Sequence, residues 1–312
     1  MTEARRRVSP LQSIVGITFV TAVMWFLFSP GSPLNEGATK TPAEPVGEAV
    51  AAPRADVPWP RVASTSPAIT ETLVELGLEA HIVGRSGYCR SVPASVPVVG
   101  DLRDFDAERL AACAPDVLFV QPPLAGVDPA LRGFCAEQLI PLVDRRLDTL
   151  ADLDGLLDDV ASAFRTAPDD AGEGLARRLA EAKALVASTP VAVTDDAPSV
   201  VLLVAADPFL AVGRGNYLDE LLARAGLANA LARDGYIELG AEALRALSPA
   251  TILVATETDA GATRATEMLA KMPWADGRAP RVAARAMPGL LTPSLAAVRR
   301  AEELAALAKE AR

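Results

Sequence analysis

The sequence predicts an α/β protein of two similar lobes with mostly parallel sheets, joined by a rigid linking helix, with a ligand cleft between the lobes. An internal repeat is the first reason. Ala107-Glu108-Arg109-Leu110 leads into Pro115 and the apolar run Val117-Leu118-Phe119-Val120; Ala241-Glu242-Ala243-Leu244 leads into Pro249 and Ile252-Leu253-Val254. A second pair precedes these, with Glu71-Thr72-Leu73 running to Gly77-Leu78 and Glu220-Leu221-Leu222 running to Gly226-Leu227. A single two-fold repeat of this size lies far above the solenoid period of about 20–50 residues, so it marks two lobes built alike. Alternating short apolar runs and helical patterns are the second reason, and a long helical stretch between the halves is the third. Paired α/β lobes place their ligand in the crevice at the carboxyl ends of the strands.

Taken in order, residues 1–28 form a membrane anchor or signal segment. Arg5-Arg6-Arg7 precedes an apolar stretch, residues 11–28, in which Gln12, Ser13, Thr18 and Thr21 are the clearly polar side chains. That length is at the short end of the roughly 17–25 residues that span a bilayer. It exceeds the roughly 7–15 residues of most signal-peptide cores, which favours an uncleaved anchor in the inner membrane over a cleaved signal. No Cys follows directly to carry a lipid, and Ser29-Pro30-Gly31 matches a cleavage site poorly. The arginines stay cytoplasmic, which sends the rest of the chain out to a periplasmic or extracytoplasmic location. Residues 29–60 are rich in Pro, Ala, Gly and Glu without periodicity and read as a tether.

The folded unit spans 61–312. Lobe one covers about 61–146, with strands expected at 61–63, 81–84, 96–99, 117–121 and 140–143 and helices at 68–76, 107–112 and 129–139. The linking region covers about 147–190. Leu150, Leu153, Leu157, Val160 and Phe164 recur at three and four, and after a break near Pro168 so do Leu175, Leu179, Ala182 and Val186, until Pro190 ends the pattern. Lobe two covers about 197–312, with strands at 200–205, 251–255 and 281–284.

Composition narrows the function. At 312 residues and 50% hydrophobic, the chain can bury one large core or two moderate ones. Its formal charge of −10 argues against a nucleic-acid partner. His81 is the only histidine, so a His-rich metal site cannot be built, and a surface or half-buried place suits it. Cys89, Cys113 and Cys135 have no paired metal spacing; export permits a Cys89–Cys135 disulfide, with Cys113 packing as a small hydrophobe. There is no phosphate loop, no nucleophile elbow and no second His for acid-base work, so no catalytic residues, no cofactor and no enzymatic activity are assigned. Gly213-Arg214-Gly215-Asn216 is a glycine-rich turn ahead of a helix that could cradle an anion through backbone N–H groups, and a helix-entry turn explains it as well.

The ordered set Arg61-Val62-Ala63-Ser64-Thr65-Ser66-Pro67-Ala68-Ile69-Thr70-Glu71, Gly77-Leu78, Val83-Gly84-Arg85-Ser86-Gly87-Tyr88-Cys89, Val98-Val99-Gly100-Asp101 and Ala114-Pro115-Asp116-Val117-Leu118 carries a resemblance. It resembles the ABC-transporter substrate-binding proteins for cobalamin, iron-siderophores and heme, from about Arg61 to the end of the chain. The resemblance implies two α/β lobes on one rigid helix, a bulky small-molecule or metal-chelate ligand clamped between them, and delivery to an ABC permease. It also implies one glutamate on top of each lobe that pairs with transporter arginines, and Glu108 and Glu242 stand at those positions. Two exposed carboxylates at helix starts suit guanidinium forks.

By position in the same pattern, Tyr88 and Tyr236 face each other across the cleft, and Leu102 holds a third place. Glu108 and Glu242 each come six residues after one of these, Leu102 and Tyr236. Pro67, Gln121 and Phe209 end strands or begin loops on the same face. One departure stands out: where cobalamin-binding relatives have an acidic-aromatic pair before Arg and Ser-Pro, this chain has Met287-Pro288-Gly289-Leu290-Leu291-Thr292-Pro293. An anionic siderophore needs clustered Arg or Lys; only Arg85, Arg90, Arg103 and Arg214 fall near the cleft, and nothing in the sequence shows them converging. The alternative is a membrane-anchored sensor or scaffold that kept the fold with a different ligand or none.

Overall fold

A computed structural model describes residues 59–101, 104–165, 169–188, 196–274 and 279–311. The expected anchor at 1–28 and nearly all of the tether at 29–60 lie outside the described residues, as do Leu102, Arg103, Pro168 and Pro190. Among the described residues, no helix is long and apolar enough to cross a membrane.

Lobe one is an all-parallel sheet in the order β3-β2-β1-β4-β5. Its strands are β1 (Val62–Ser64), β2 (Ile82–Ser86), β3 (Val98–Gly100), β4 (Val117–Val120) and β5 (Leu142–Asp144), connected by helices α1 (Pro67–Glu75), α2 (Ala107–Cys113) and α3 (Pro129–Glu137). The central strands β1 and β4 are buried along their whole length, because the connections of a parallel sheet cover both faces. Val62 and Phe119 join one core, and Ala63, Leu118 and Val120 join the core on the other face.

The linker is a pair of helices packed on each other, α4 (Leu150–Ala163) and α5 (Asp169–Ala187), which correspond to the two periodic runs of the sequence. Thr149 and Asp152 form a capping box that starts α4, and Leu153, Leu156, Leu157 and Val160 are buried. Both lobes are bonded to this pair. Arg178 Nε donates to the Leu76 carbonyl of lobe one at 2.6 Å, and Glu220 of lobe two accepts from the Leu150 amide at 2.7 Å.

Lobe two holds β6 (Ser199–Ala206), β7 (Phe209–Val212), α6 (Tyr217–Arg224), β8 (Ala228–Asn229), β9 (Tyr236–Leu239), α7 (Ala241–Ala246), β10 (Thr251–Thr256), α8 (Asp259–Lys271) and β11 (Arg281–Ala286). Helices α9 (Leu295–Arg299) and α10 (Ala301–Glu310) follow. The sheet order is β11-β10-β6-β7-β9, with β8 beside β6. Strands β6, β10 and β11 are parallel as expected, but β7 runs antiparallel to both β6 and β9, so this sheet is mixed. Only Asp207 and Pro208 separate β6 from β7, and a two-residue turn cannot make a parallel crossover.

The sequence repeat is a structural repeat. Gly77 and Gly226 take φ of 72° and 71° after α1 and α6. Leu78 and Leu227 then donate backwards to the carbonyls of Leu73 and Leu222, both at 2.9 Å, the Schellman ending that favours glycine. Ala114 and Ser248 leave α2 and α7 at φ of 42° and 43°, each before a proline that cannot follow a helical residue easily.

Two expectations need correction here. His81 is only 8% exposed, because Trp59 covers it: their rings lie 4.9 Å apart, and Phe164 of α4 packs on both. Packing thus begins two residues before Arg61. The Cys89–Cys135 disulfide that export would permit is not formed; all three cysteines are free, and the two thiols belong to core clusters on opposite faces of the lobe-one sheet.

Candidate functional site

Three of the expected ligand residues come together at the carboxyl ends of neighbouring strands in lobe one. Ser66, just after β1, caps α1 by accepting from the Ile69 amide, and its hydroxyl donates to Gln121 Oε1 at 2.7 Å. Pro67 is the first residue of α1 and is half-buried. Gln121 follows β4 and lines a shallow depression with Thr65, Asp104, Phe105 and Pro122. Tyr88 follows β2, half-buried, with its amide donating to Ser86 Oγ at 3.0 Å.

The loop that carries Tyr88 is shaped from inside. Arg85 donates to the carbonyls of Val96 at 2.9 Å, Ser86 at 3.1 Å and Ala94 at 3.4 Å. Its guanidinium is therefore a brace for residues 86–96 and has little capacity left for an anion. Cys89 Sγ lies 3.1 Å from the Thr70 hydroxyl and fastens the same loop to α1. Burial pushes that thiol up, so it packs as an inert hydrophobe.

From lobe two, Tyr236 opens β9. Its ring is half-buried, while its hydroxyl is enclosed within hydrogen-bonding reach of Tyr217. Tyr217, the buried first residue of α6, donates its proton to the Leu290 carbonyl at 3.0 Å. Desolvation pushes both phenols above their ordinary value, so both stay neutral. The Tyr236 hydroxyl is thus used internally, which leaves the ring as the surface available to a ligand. The register that places Tyr236 opposite Val212 depends on Gly213, whose amide donates to the Gly235 carbonyl at 2.7 Å.

Phe209 does not join this group. It is 5% exposed and packs in the lobe-two core with Val201, Leu244 and Ile252. Its place after a tight turn looks like a loop start in sequence, yet it is the first residue of β7.

Glu108 and Glu242 occupy equivalent places. Each is the second residue of a short helix, α2 or α7, which follows the carboxyl end of a strand, and each is exposed. Asp106 caps α2 by accepting from the Arg109 amide at 2.9 Å, whereas Gly240 starts α7 with no side-chain cap. The Glu242 side chain is 95% exposed, and Arg245 approaches it only to 3.9 Å.

A further cluster escaped the sequence reading. Glu71 on α1 and Glu257 just after β10 both approach Gly289: Glu257 Oε2 accepts from its amide at 3.1 Å, and a Cβ there would lie 3.6 Å from Glu71 Oε1. Burial is the main cause that raises the Glu71 carboxyl above its ordinary value. The sequence signal was weak: one Glu inside a helix and one after a buried strand, brought together only by the tertiary fold. No group of His, Cys, Asp and Glu among the described residues is arranged to hold a metal.

With the geometry in place, comparison with known proteins is informative. The sequence profile of the family described as "Periplasmic binding protein" matches residues 62–281. No curated protein sequence matches the chain. Among solved structures, the periplasmic heme-binding protein RhuT from Roseiflexus sp. RS-1 is 21% identical, with a TM-score of 0.59 over 81% of this chain and 99% of that one. The periplasmic heme-binding protein HutB of Vibrio cholerae is 23% identical, with a TM-score of 0.59 over 80% of this chain and 98% of that one. The periplasmic vitamin B12-binding protein BtuF of Vibrio cholerae is 14% identical, with a TM-score of 0.55 over 81% of this chain and 98% of that one. At these identities the likeness concerns the fold.

Proposed function

The chain belongs to the periplasmic binding protein family, and from that premise we propose that it captures a bulky ring-bearing or metal-chelate ligand between its lobes and delivers it to an ABC permease. A solute-binding role outside the cytoplasm follows from the family. The bulky ligand is supported by neighbours of the same fold whose titles name heme and vitamin B12. The reading is supported by Tyr88, Pro67 and Gln121 at the carboxyl ends of the lobe-one strands and by a half-buried Tyr236 ring at the start of β9 in lobe two. Aromatic rings contributed by both lobes would suit a flat or caged ligand better than a small ion. In this reading Leu102 adds an apolar contact, Phe209 supports the wall from the core, and residues 11–28 keep the protein at the inner membrane.

Delivery rests on Glu108 and Glu242 as the docking pair. Their matching exposure and helix position in the two lobes favour a two-point contact with a permease.

A thermal-shift panel of cobalamins, heme and ferric siderophores tests the capture. At least one should raise the melting temperature, since a ligand at about 100 times its Kd adds about 2.7 kcal/mol to the folded state. Tyrosine emission should change with it. Trp59 and Trp274 should not report, because they pack in lobe cores with His81 and beside Leu269. No shift across the panel would favour the sensor or scaffold reading.

A further inference from the structure

One end of the Gln121 side chain is fixed. Its carbonyl oxygen Oε1 accepts from the Ser66 hydroxyl at 2.7 Å, and Ser66 is fully buried, so no water competes for that proton. The serine oxygen already caps α1 by accepting from the Ile69 amide at 3.3 Å. Were the Gln121 amide turned round, its NH2 would meet this oxygen and the serine proton would be left buried without an acceptor, which costs more than an ordinary hydrogen bond returns. Nε2 is therefore the end of Gln121 left for a ligand, and it makes no hydrogen bond among the described residues.

The shallow depression beside Gln121 carries negative charge only. Asp101, Asp104 and Asp128 line it, and no Lys or Arg among the described residues does. The arginines at neighbouring strand and helix ends are committed elsewhere. Arg85 holds carbonyls of its own loop, Arg109 pairs with Asp106 at 3.1 Å, Arg145 with Asp159 at 2.8 Å, and Arg146 with Asp148. Arg90 and Arg214 are exposed and stand outside the depression. In lobe two, Glu238 comes two residues after Tyr236, on the same side of β9, and is exposed. An anionic group brought to Gln121 would give up hydration and meet like charge with no cation beside it.

We propose that Gln121, oriented by Ser66, is a specificity-determining donor, and that the ligand turns an uncharged oxygen acceptor of the amide or hydroxamate type, not a carboxylate or catecholate, toward lobe one. This rests on capture between the lobes as read above. An uncharged oxygen takes the Nε2 proton without repulsion from the three aspartates. Selection then comes from the like charge set against anionic chelates as well as from the hydrogen bond to the favoured ones.

The test is equilibrium titration of the full chain, Q121E, D104N and Y88A with four compounds. Cyanocobalamin and a ferric trishydroxamate present uncharged oxygens; heme and a ferric tris-catecholate are anionic. Wild type should bind one of the uncharged compounds most tightly. Q121E keeps an acceptor for Ser66 but puts a second oxygen where Nε2 stood, so that compound should lose about tenfold to a hundredfold in affinity while the unliganded protein melts as wild type does. D104N should raise affinity for the anionic compounds by up to about fivefold. Binding that weakens in Y88A but not in Q121E, or an anionic compound that binds most tightly, would overturn this inference and leave capture between the lobes standing. Affinity for none of the four, or binding indifferent to Y88A, would remove the capture reading and this inference with it.

Discussion

Changing both Glu108 and Glu242 to Lys is expected to abolish uptake while leaving ligand affinity and melting temperature nearly intact. Both side chains are exposed at the second position of short helices, and Glu242 makes only one long contact, to Arg245. Surface changes of this kind move stability by no more than about 0.5 kcal/mol. Reversing charge against a partner's guanidinium groups costs association about 2–5 kcal/mol when a desolvated pair is lost, roughly 30-fold to several thousand-fold in affinity. The effect should divide between lobes, so each single variant should retain partial uptake. Transport assays in cells, beside thermal melts and ligand titrations of the purified protein, separate the outcomes. Uptake that survives in the double variant would end the docking assignment, and loss of ligand binding would move these residues into the cleft.

Gly213→Ala should destabilise lobe two by about 3 kcal/mol or more, at the upper end of overpacking costs. A Cβ at this position would lie 2.2 Å from the Arg233 carbonyl oxygen and 2.6 Å from that of Gly235. Both contacts are backbone, so neither can swing away. The same glycine offers its carbonyl to the side-chain amides of Asn216 and Asn229, both at 3.1 Å, so any shift spreads to the cap of α6 and to β8. For a domain of this size about 3 kcal/mol corresponds to a fall of roughly 6–12 °C in Tm. Gly215→Ala is the comparison: φ is 74° there, but nothing lies within 4 Å of the added carbon, so a loss nearer about 1 kcal/mol is expected. Equal losses in the two variants would show that backbone conformation, and not the close approach, governs the turn.

How far the sequence revealed this protein depended on the range of the interactions involved. The repeat was legible because helix endings impose local rules: Gly77 and Gly226 must take positive φ, and Pro115 and Pro249 stop the helices before the strands. Parallel strands such as β4 and β10 were legible because burial on both faces makes them continuous apolar runs. The β7–β9 ribbon was not recognised. Phe209-Leu210-Ala211-Val212 follows β6 after only two residues and merges with it into one apolar stretch. That oversight is also why Phe209 was assigned to the cleft when it belongs to the core. The role of Arg85 was not legible, because nothing local shows that the carbonyls of residues 86–96 fold back onto it. Glu71 and Glu257 had no local signature at all; both come beside Gly289 only once both lobes are assembled.

The central claim, that a ligand is held by both lobes at once, is tested most directly by hydrogen exchange on the protein with each panel compound in turn. The bound form should show slowed exchange at 64–67, 86–89 and 121–124 in lobe one together with 236–239 in lobe two, because in the proposed reading these segments form the cleft walls. Protection confined to one lobe, or none at these segments with a compound that raises the melting temperature, would contradict capture between the lobes.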